Sequence, residues 1–397
     1  MKIVFLDAKS IGEDIDLSGY EALGEVVKYD FSTPEEAAER VTDADVVIIN
    51  KVPINEQTIG KAANLKLVCV TATGTNNLDK EYLDKRGIAW RNVAGYSTES
   101  VAQHTFAMLF YLLEHLPYYD DYVKSEKYIG DCLFTHFDKK FSQLAGMTWG
   151  IIGLGAIGVL VANAASELGM EVFGCDPYLS IQNAVRLSHH ITIVKDNDEI
   201  YNQCDYITIH VPALDSTKGM LNKRAFDQMK DGVKILNFAR DILVNDADMA
   251  DALASGKVSR YVTDFPNPAV VNMPGALVLP HLGASTEESE ENCAVMAVNQ
   301  IMDYLENGNI ENSVNYPSCS LGYRKKAARI CVCHYNRPNV ISQLTSLFGE
   351  AGVNISDMVS KSRGEYAYAM FDVEAPVSDE FEKKLEAMEN IIRIRIL

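Results

Sequence analysis

The stretch that most restricts the fold lies in mid-chain, "TWGIIGLGAIG", Thr148 to Gly158. A short apolar strand runs into Gly-x-Gly-x-x-Gly, and "AIGVLVANAASELG" then continues with the apolar spacing of a helix. Gly153 permits a tight turn, Gly155 lets backbone approach a pyrophosphate, and Gly158 lets helix and strand pack closely. The helix start adds unpaired N–H groups and the positive end of a dipole. Asp176 closes the next strand, "EVFGCD", 18 positions after Gly158. A carboxylate there bonds adenosine ribose hydroxyls and repels a 2′-phosphate, which selects NAD over NADP. A merely structural glycine turn needs neither the acid nor its spacing.

Around this motif the chain alternates strands and helices. Residues 1–100 carry the apolar runs "KIVFLDA", "EVVKYD", "ADVVIIN", "LKLVCVTATG" and "IAWRNV". Between them lie stretches such as "TPEEAAERVTD", where Thr33 caps a helix whose glutamates suit the N-terminal dipole. This predicts a parallel sheet covered by helices. A long, mostly apolar helix is expected over 98–116. The series from Thr148 onward supplies enough strands for a complete doubly wound domain. A helix over 287–308 and a polar linker follow, and the last seventy residues read as βαββαβ, a ferredoxin-like unit. That unit is too short for an active site of its own and suits regulation or assembly.

Charge narrows the partners. With 36 basic and 55 acidic residues the net charge is −19, which argues against nucleic acid and anionic membranes. No apolar stretch is long enough to span a bilayer, and "MKIVFLDAKS" reads directly as a strand, without a leader. The eight cysteines, Cys132 among them, are scattered, and only Cys331 and Cys333 are close, on one face of a strand. They are expected to be buried thiols of a reducing cytoplasm, with no metal.

Two strand ends of the central domain carry groups suited to chemistry, Arg240 in "ILNFARDILVN" and His281 in "LPHLGAS". Ligands of open parallel sheets bind outside the carboxyl ends of strands. An arginine fork fits a carboxylate, and a histidine takes a proton from a hydroxyl as hydride leaves. Taken alone, either residue can be read as a helix-capping arginine or a solvated loop histidine.

The ordered set "GLGAIG…DP", "HVPALDSTKGML", "LNFARDILVN" and "LPHLGAST" resembles the D-isomer-specific 2-hydroxyacid dehydrogenases over residues 1 to about 315. The resemblance implies a Rossmann-type NAD domain, 100–283, inserted in a flavodoxin-like substrate domain, 1–99 and 284–316. A linker, 317–327, and a C-terminal ferredoxin-like domain, 328–397, complete the α/β chain. It implies that Arg240 and His281 are catalytic and contact the substrate. Gly153, Gly155, Ala156, Ile157, Gly158, Asp176, His210, Val211, Pro212, Thr217, Phe238, Ala239, Asp264 and Gly283 would line the NAD site. Lys51, Thr73, Gly74 and Thr75 would meet the substrate from the other domain. The family normally pairs the histidine with a glutamate shortly after the strand-end aspartate. Here "YVTDFPNPAVV" has none, and Asn267 is expected in its place, orienting the imidazole without a charge.

The last domain, "CHYNRPNVISQLTSLFGEAGVNISDM", resembles the serine-binding ACT domain of phosphoglycerate dehydrogenases, with His334, Asn336 and Asn354 at effector positions. Asn339 stands where glycine usually follows the proline, and asparagine tolerates a left-handed backbone. The resemblance implies oxidation of 3-phosphoglycerate, with L-serine as effector and a homodimer or homotetramer as the assembly. "VVIINKVPINEQTI" and "VTATGTNNLD" look more like hydroxypyruvate reductases or glycerate dehydrogenases, with Asn50–Lys51 where phosphoglycerate dehydrogenases have arginine and serine. Lys51 then either meets a phosphate or lies along the domain edge. A non-phosphorylated 2-hydroxy acid is the alternative substrate. An NAD-sensing regulator without activity is the other alternative, and it needs neither Arg240 nor His281.

Overall fold

The computed structural model describes residues 1–12, 18–130, 134–312 and 316–397. Cys132 lies outside the described residues. The chain divides into two compact units, Met1–Tyr96 with Glu287–Leu397, and Ser97–Thr286.

The second unit is built on seven parallel strands. Their order is Ala276–Val278, Val258–Thr263, Val233–Asn237, Tyr206–Ile209, Thr148–Ile152, Glu171–Cys175 and Thr192–Ile193. The chain reverses direction across the sheet between Thr148–Ile152 and Tyr206–Ile209, the switch point at which doubly wound sheets hold ligands. Both faces are covered, so strands such as Tyr206–Ile209 are wholly buried. The helix expected over 98–116 is two helices, Thr98–Leu113 and Leu116–Lys124. Pro117 cannot occupy a helix interior and sits in the first turn of the second, after His115 with a left-handed φ of 49°.

The first unit opens with a parallel sheet in the order Glu25–Lys28, Lys2–Phe5, Val46–Ile49, Leu67–Val70, Ala89–Asn92, the flavodoxin-like 2-1-3-4-5 arrangement. Thr33 caps the helix Pro34–Arg40 in a capping box with Glu36. The unit also contains the antiparallel ferredoxin-like sheet, ordered Ile355–Arg363, Tyr366–Val373, Ala328–Tyr335, Ile391–Ile396. Alternation along Ala328–Tyr335 gives its faces different partners. Ile330 and Val332 pack with Leu344, Phe348 and Phe381 of the domain's own helices. Cys331 and Cys333 share the opposite face and join a core containing Ile3, Phe5, Ile301, Tyr304, Tyr316 and Tyr368.

That second face is fastened by arginines. The helix Glu287–Asn307 ends beneath it, and the last carbonyls of a helix have no partner within the helix. Arg395 donates to the carbonyls of Tyr304 (3.1 Å) and Leu305 (3.2 Å), and Arg329 to that of Asn307 (2.8 Å). Arg91, 1% exposed, donates to the Gln300 and Asn309 carbonyls and lies 4.9 Å over the Tyr304 ring. Cations at this end also complement the helix dipole. Arg329 is fully buried and bidentate to Asp372, at 2.6 and 2.8 Å. Removing one partner of such a pair leaves an uncompensated buried charge, so Asp372→Ala should cost about 3–5 kcal/mol of apparent stability in urea unfolding. The double substitution Arg329→Met with Asp372→Leu should cost less than Asp372→Ala alone.

Candidate active site

The glycine motif adopts the backbone its chemistry requires. Gly153 has φ of 95°, and a Cβ on it would lie 2.6 Å from the His210 carbonyl oxygen. A Cβ on Gly158 would overlap the Gly153 carbonyl, whereas one on Gly155 would meet no atom within 4 Å. Gly155 therefore leaves an open approach at the start of the helix Ala156–Glu167, whose first residues are Ala156 and Ile157. That opening, with the free N–H groups of the helix, fits a pyrophosphate. Asp176 accepts from Leu154 N–H (2.9 Å) and Tyr178 N–H (2.8 Å), which holds its carboxylate beside the glycine turn.

The opposite wall begins at His210. Val211 packs on Gly153, and Thr217 closes the loop by donating to the Pro212 carbonyl at 2.7 Å. His210 Nε2 lies 3.2 Å from Thr208 Oγ1, and burial pushes the imidazole pKa down to about 4. At the next strand end Asn237 accepts from Ala239 N–H and Arg240 N–H, which sets the turn that carries Phe238, Ala239 and Arg240. Arg240 donates to the Ala239 carbonyl at 2.7 Å. Asp264 accepts from Gly283 N–H at 3.1 Å, joining two further strand ends.

Arg240 and His281 flank one aromatic ring. The guanidinium carbon is 5.4 Å from the centroid of Phe265, and the His281 ring centroid is 4.4 Å from it. His281 is exposed and has φ of 54°, an uncommon backbone for a residue with a Cβ. Asn267 was expected to orient the imidazole, and the structure uses it otherwise. Its side chain accepts from Ala269 and Val270 N–H, at 2.9 and 3.0 Å, and donates to Asp246 at 3.0 Å. A glutamate is long enough to reach beyond its own turn, whereas this amide closes the turn.

In the first unit the carboxyl ends of the sheet are tied by an acid that the sequence reading passed over. Asp7, 2% exposed, accepts from the N–H groups of Asn50 (2.8 Å), Lys51 (2.6 Å) and Val52 (3.0 Å). Its signal was present, a lone aspartate at the end of "KIVFLD". Lys51 is thereby held just past the carboxyl end of the central strand Val46–Ile49, and it is exposed. Thr73 donates to the Val93 carbonyl and accepts through its own carbonyl from Asn92, so the turn through Gly74 to buried Thr75 is fixed at both sides. Phe265 was also missed, because nothing in "TDFPNP" marks an aromatic ring as the neighbour of two polar groups.

The ferredoxin-like unit places His334 on the helix-facing side of its strand, 3% exposed. Its Nδ1–H donates to the Tyr335 carbonyl at 2.8 Å, and Nε2 is buried without a partner. Asn336 donates to the Gly364 carbonyl at 3.0 Å, and Asn354 is exposed. Asn339 has the left-handed backbone expected of it, with φ of 68°.

Residues 106–283 match the NAD-binding domain of the D-isomer specific 2-hydroxyacid dehydrogenases, and residues 329–393 match the ACT domain. The chain is 34% identical over 327 residues to hydroxypyruvate reductase of Blautia hydrogenotrophica, covering 79% of this chain and all of that one. It is 30% identical over 379 residues to D-3-phosphoglycerate dehydrogenase of Escherichia coli, covering 91% of this chain and 89% of that one. The solved D-lactate dehydrogenase of Aquifex aeolicus, complexed with NAD and lactic acid, superposes with a TM-score of 0.65 at 24% identity. That comparison covers 77% of this chain and 95% of that structure. The chain belongs to the D-isomer-specific 2-hydroxyacid dehydrogenase family. It is an NAD-dependent oxidoreductase with an ACT domain at its carboxyl end. Among the described residues no helix is long and apolar enough to cross a membrane.

Two outcomes follow from the geometry. His210 is neutral when folded and titrates nearer 6.5 when unfolded, so the unfolded state binds the extra proton between those values. Stability should fall as pH drops from about 6.5 towards 4, and His210→Gln should flatten that slope in urea unfolding series. Asn267→Ala removes the acceptor of two backbone N–H groups and should cost about 1–2 kcal/mol. The acidic limb of the pH–rate profile should not move.

Proposed function

We propose that the chain oxidises 3-phosphoglycerate to 3-phosphohydroxypyruvate with NAD. The observation that carries this reading is the ACT domain joined to the dehydrogenase, an arrangement that the phosphoglycerate dehydrogenase relative matches along most of both chains. Bound NAD supplies the hydride acceptor. His281 takes the hydroxyl proton, and Arg240 holds and polarises the oxygen and carboxylate of the 2-hydroxy acid. The glycine turn and Asp176 hold pyrophosphate and ribose; Ala156, Ile157, His210, Val211, Pro212 and Thr217 border that end, and Phe238, Ala239, Asp264 and Gly283 border the other. Residues 1–99 with 284–316 form the substrate half, where the turn Thr73–Thr75 meets the carboxylate and Lys51 meets the phosphate. The inserted NAD half spans 100–283, and the ACT domain, 328–397, follows the linker 317–327.

The effector is L-serine at His334, Asn336 and Asn354. Nε2 of His334 is a lone buried acceptor, which suits an ammonium or hydroxyl donor. The assembly is a homodimer or homotetramer, and the exposed Ile129, Phe134, Phe137 and Phe141 supply apolar surface for it.

A second reading, reduction of hydroxypyruvate, is favoured by Asn50–Lys51 in place of an arginine fork and by the reductase relative. Initial rates with 3-phosphoglycerate and D-glycerate separate the two. A kcat/KM for D-glycerate equal to or above that for 3-phosphoglycerate overturns the first reading. Lys51→Ala should raise KM for the phosphorylated acid and leave that for D-glycerate unchanged. Arg240→Ala should lower kcat/KM by about 10²–10³-fold, with NADH affinity retained. Calorimetric heat on adding L-serine should vanish in Asn336→Ala.

A further inference from the structure

Among the polar atoms of the second unit buried without a partner are Asp264 Oδ1, just past the strand Val258–Thr263, and His104 Nε2. Asp264 is 1% exposed, and its other oxygen is taken by Gly283 N–H. His104 stands on the helix Thr98–Leu113, edge-on to Phe238 with ring centroids 4.9 Å apart. Ser100, one turn earlier, donates to the Gly283 carbonyl at 2.9 Å and ties the helix to the same spot. A Cβ on Gly283 would lie 3.1 Å from Asp264 Oδ2 and 3.8 Å from His104 Cδ2. The histidine thus belongs to the group Phe238, Asp264 and Gly283, although nothing in "SVAQHT" distinguished it from a core residue of an apolar helix.

The two atoms have complementary needs. A carboxylate oxygen accepts, and Nε2 carrying the imidazole proton donates. Burial holds the His104 pKa below its ordinary value, with the charge of Asp264 opposing, so the ring keeps a single N–H at neutral pH. A primary carboxamide offers the matching pair, an NH2 that donates and a carbonyl that accepts. NAD carries that group on its nicotinamide ring. We propose that His104 is a positioning residue whose Nε2–H donates to the nicotinamide carboxamide oxygen while Asp264 Oδ1 accepts from its nitrogen. Holding both ends of the amide fixes its rotation, and with it the ring face turned to the substrate. The inference rests on NAD binding and is independent of which hydroxy acid is oxidised.

Equilibrium titration of wild type and His104→Ala tests it, using NADH, the 3-acetylpyridine analogue of NADH, and ADP-ribose. The analogue keeps the carbonyl and replaces the amide nitrogen by a methyl; ADP-ribose has no nicotinamide. His104→Ala should weaken NADH and the analogue alike, by about tenfold, and leave ADP-ribose unchanged. His104→Gln, which retains an N–H donor, should recover most of the loss. Where the alanine variant does not fold, His104→Leu takes its place with the same expectation. Unchanged NADH affinity overturns the proposal, since a solvent molecule then satisfies the two atoms. An equal loss for ADP-ribose overturns it too, since the residue is then structural.

Discussion

A backbone N–H or C=O buried without a partner costs about 1–3 kcal/mol, and strand ends and helix ends are where such groups collect. In this chain charged side chains settle many of them. Asp7 takes three N–H groups at one strand end, Asp176 takes two beside the glycine turn, and Asp264 takes one at Gly283. Arg91, Arg329 and Arg395 do the same for carbonyls around the end of the helix Glu287–Asn307. Each acid or base also fixes the loop it holds. Pairing across the fold sets Asp7, Arg91 and Arg329 apart from Arg240, which bonds the carbonyl of its own neighbour Ala239.

That division explains what could be read beforehand. The glycine turn, Asp176 and the two sheets were legible because strand, helix and turn signals agree along contiguous residues. Arg240 and His281 stood out as polar groups ending apolar strands, and both do border one ring, Phe265. Residues whose meaning depends on distant partners were not legible. Asp7 acts on residues more than forty positions away, and His104 meets Phe238 and Gly283 across the fold. Asn267 was misplaced for the converse reason, since a short amide following Pro266 satisfies its own turn before anything farther off.

The separation of roles also bears on conformational freedom. Asp176 and Asp264 bind backbone that follows neighbouring strands, and Asn237 closes its own turn, so the loops of the proposed cofactor site are tied to the sheet. His281 differs, being exposed and held in a left-handed backbone. In the proposed reaction, where His281 takes the hydroxyl proton, an exposed imidazole exchanges that proton with solvent directly.

The covered face of the ferredoxin-like sheet has a consequence for the architecture. Domains joined by linkers are commonly pictured as beads on a string, each removable without harm to its neighbour. Here the bead is also the lid of the next one's interior: Tyr304, Tyr316 and Cys319 are shielded by Cys331, Tyr368 and Met370. A chain cut before Ala328 would bare that oily patch and strip the Arg329 and Arg395 guanidinium groups from a helix end. Removing or exchanging this module therefore calls for a new surface on the face beneath it.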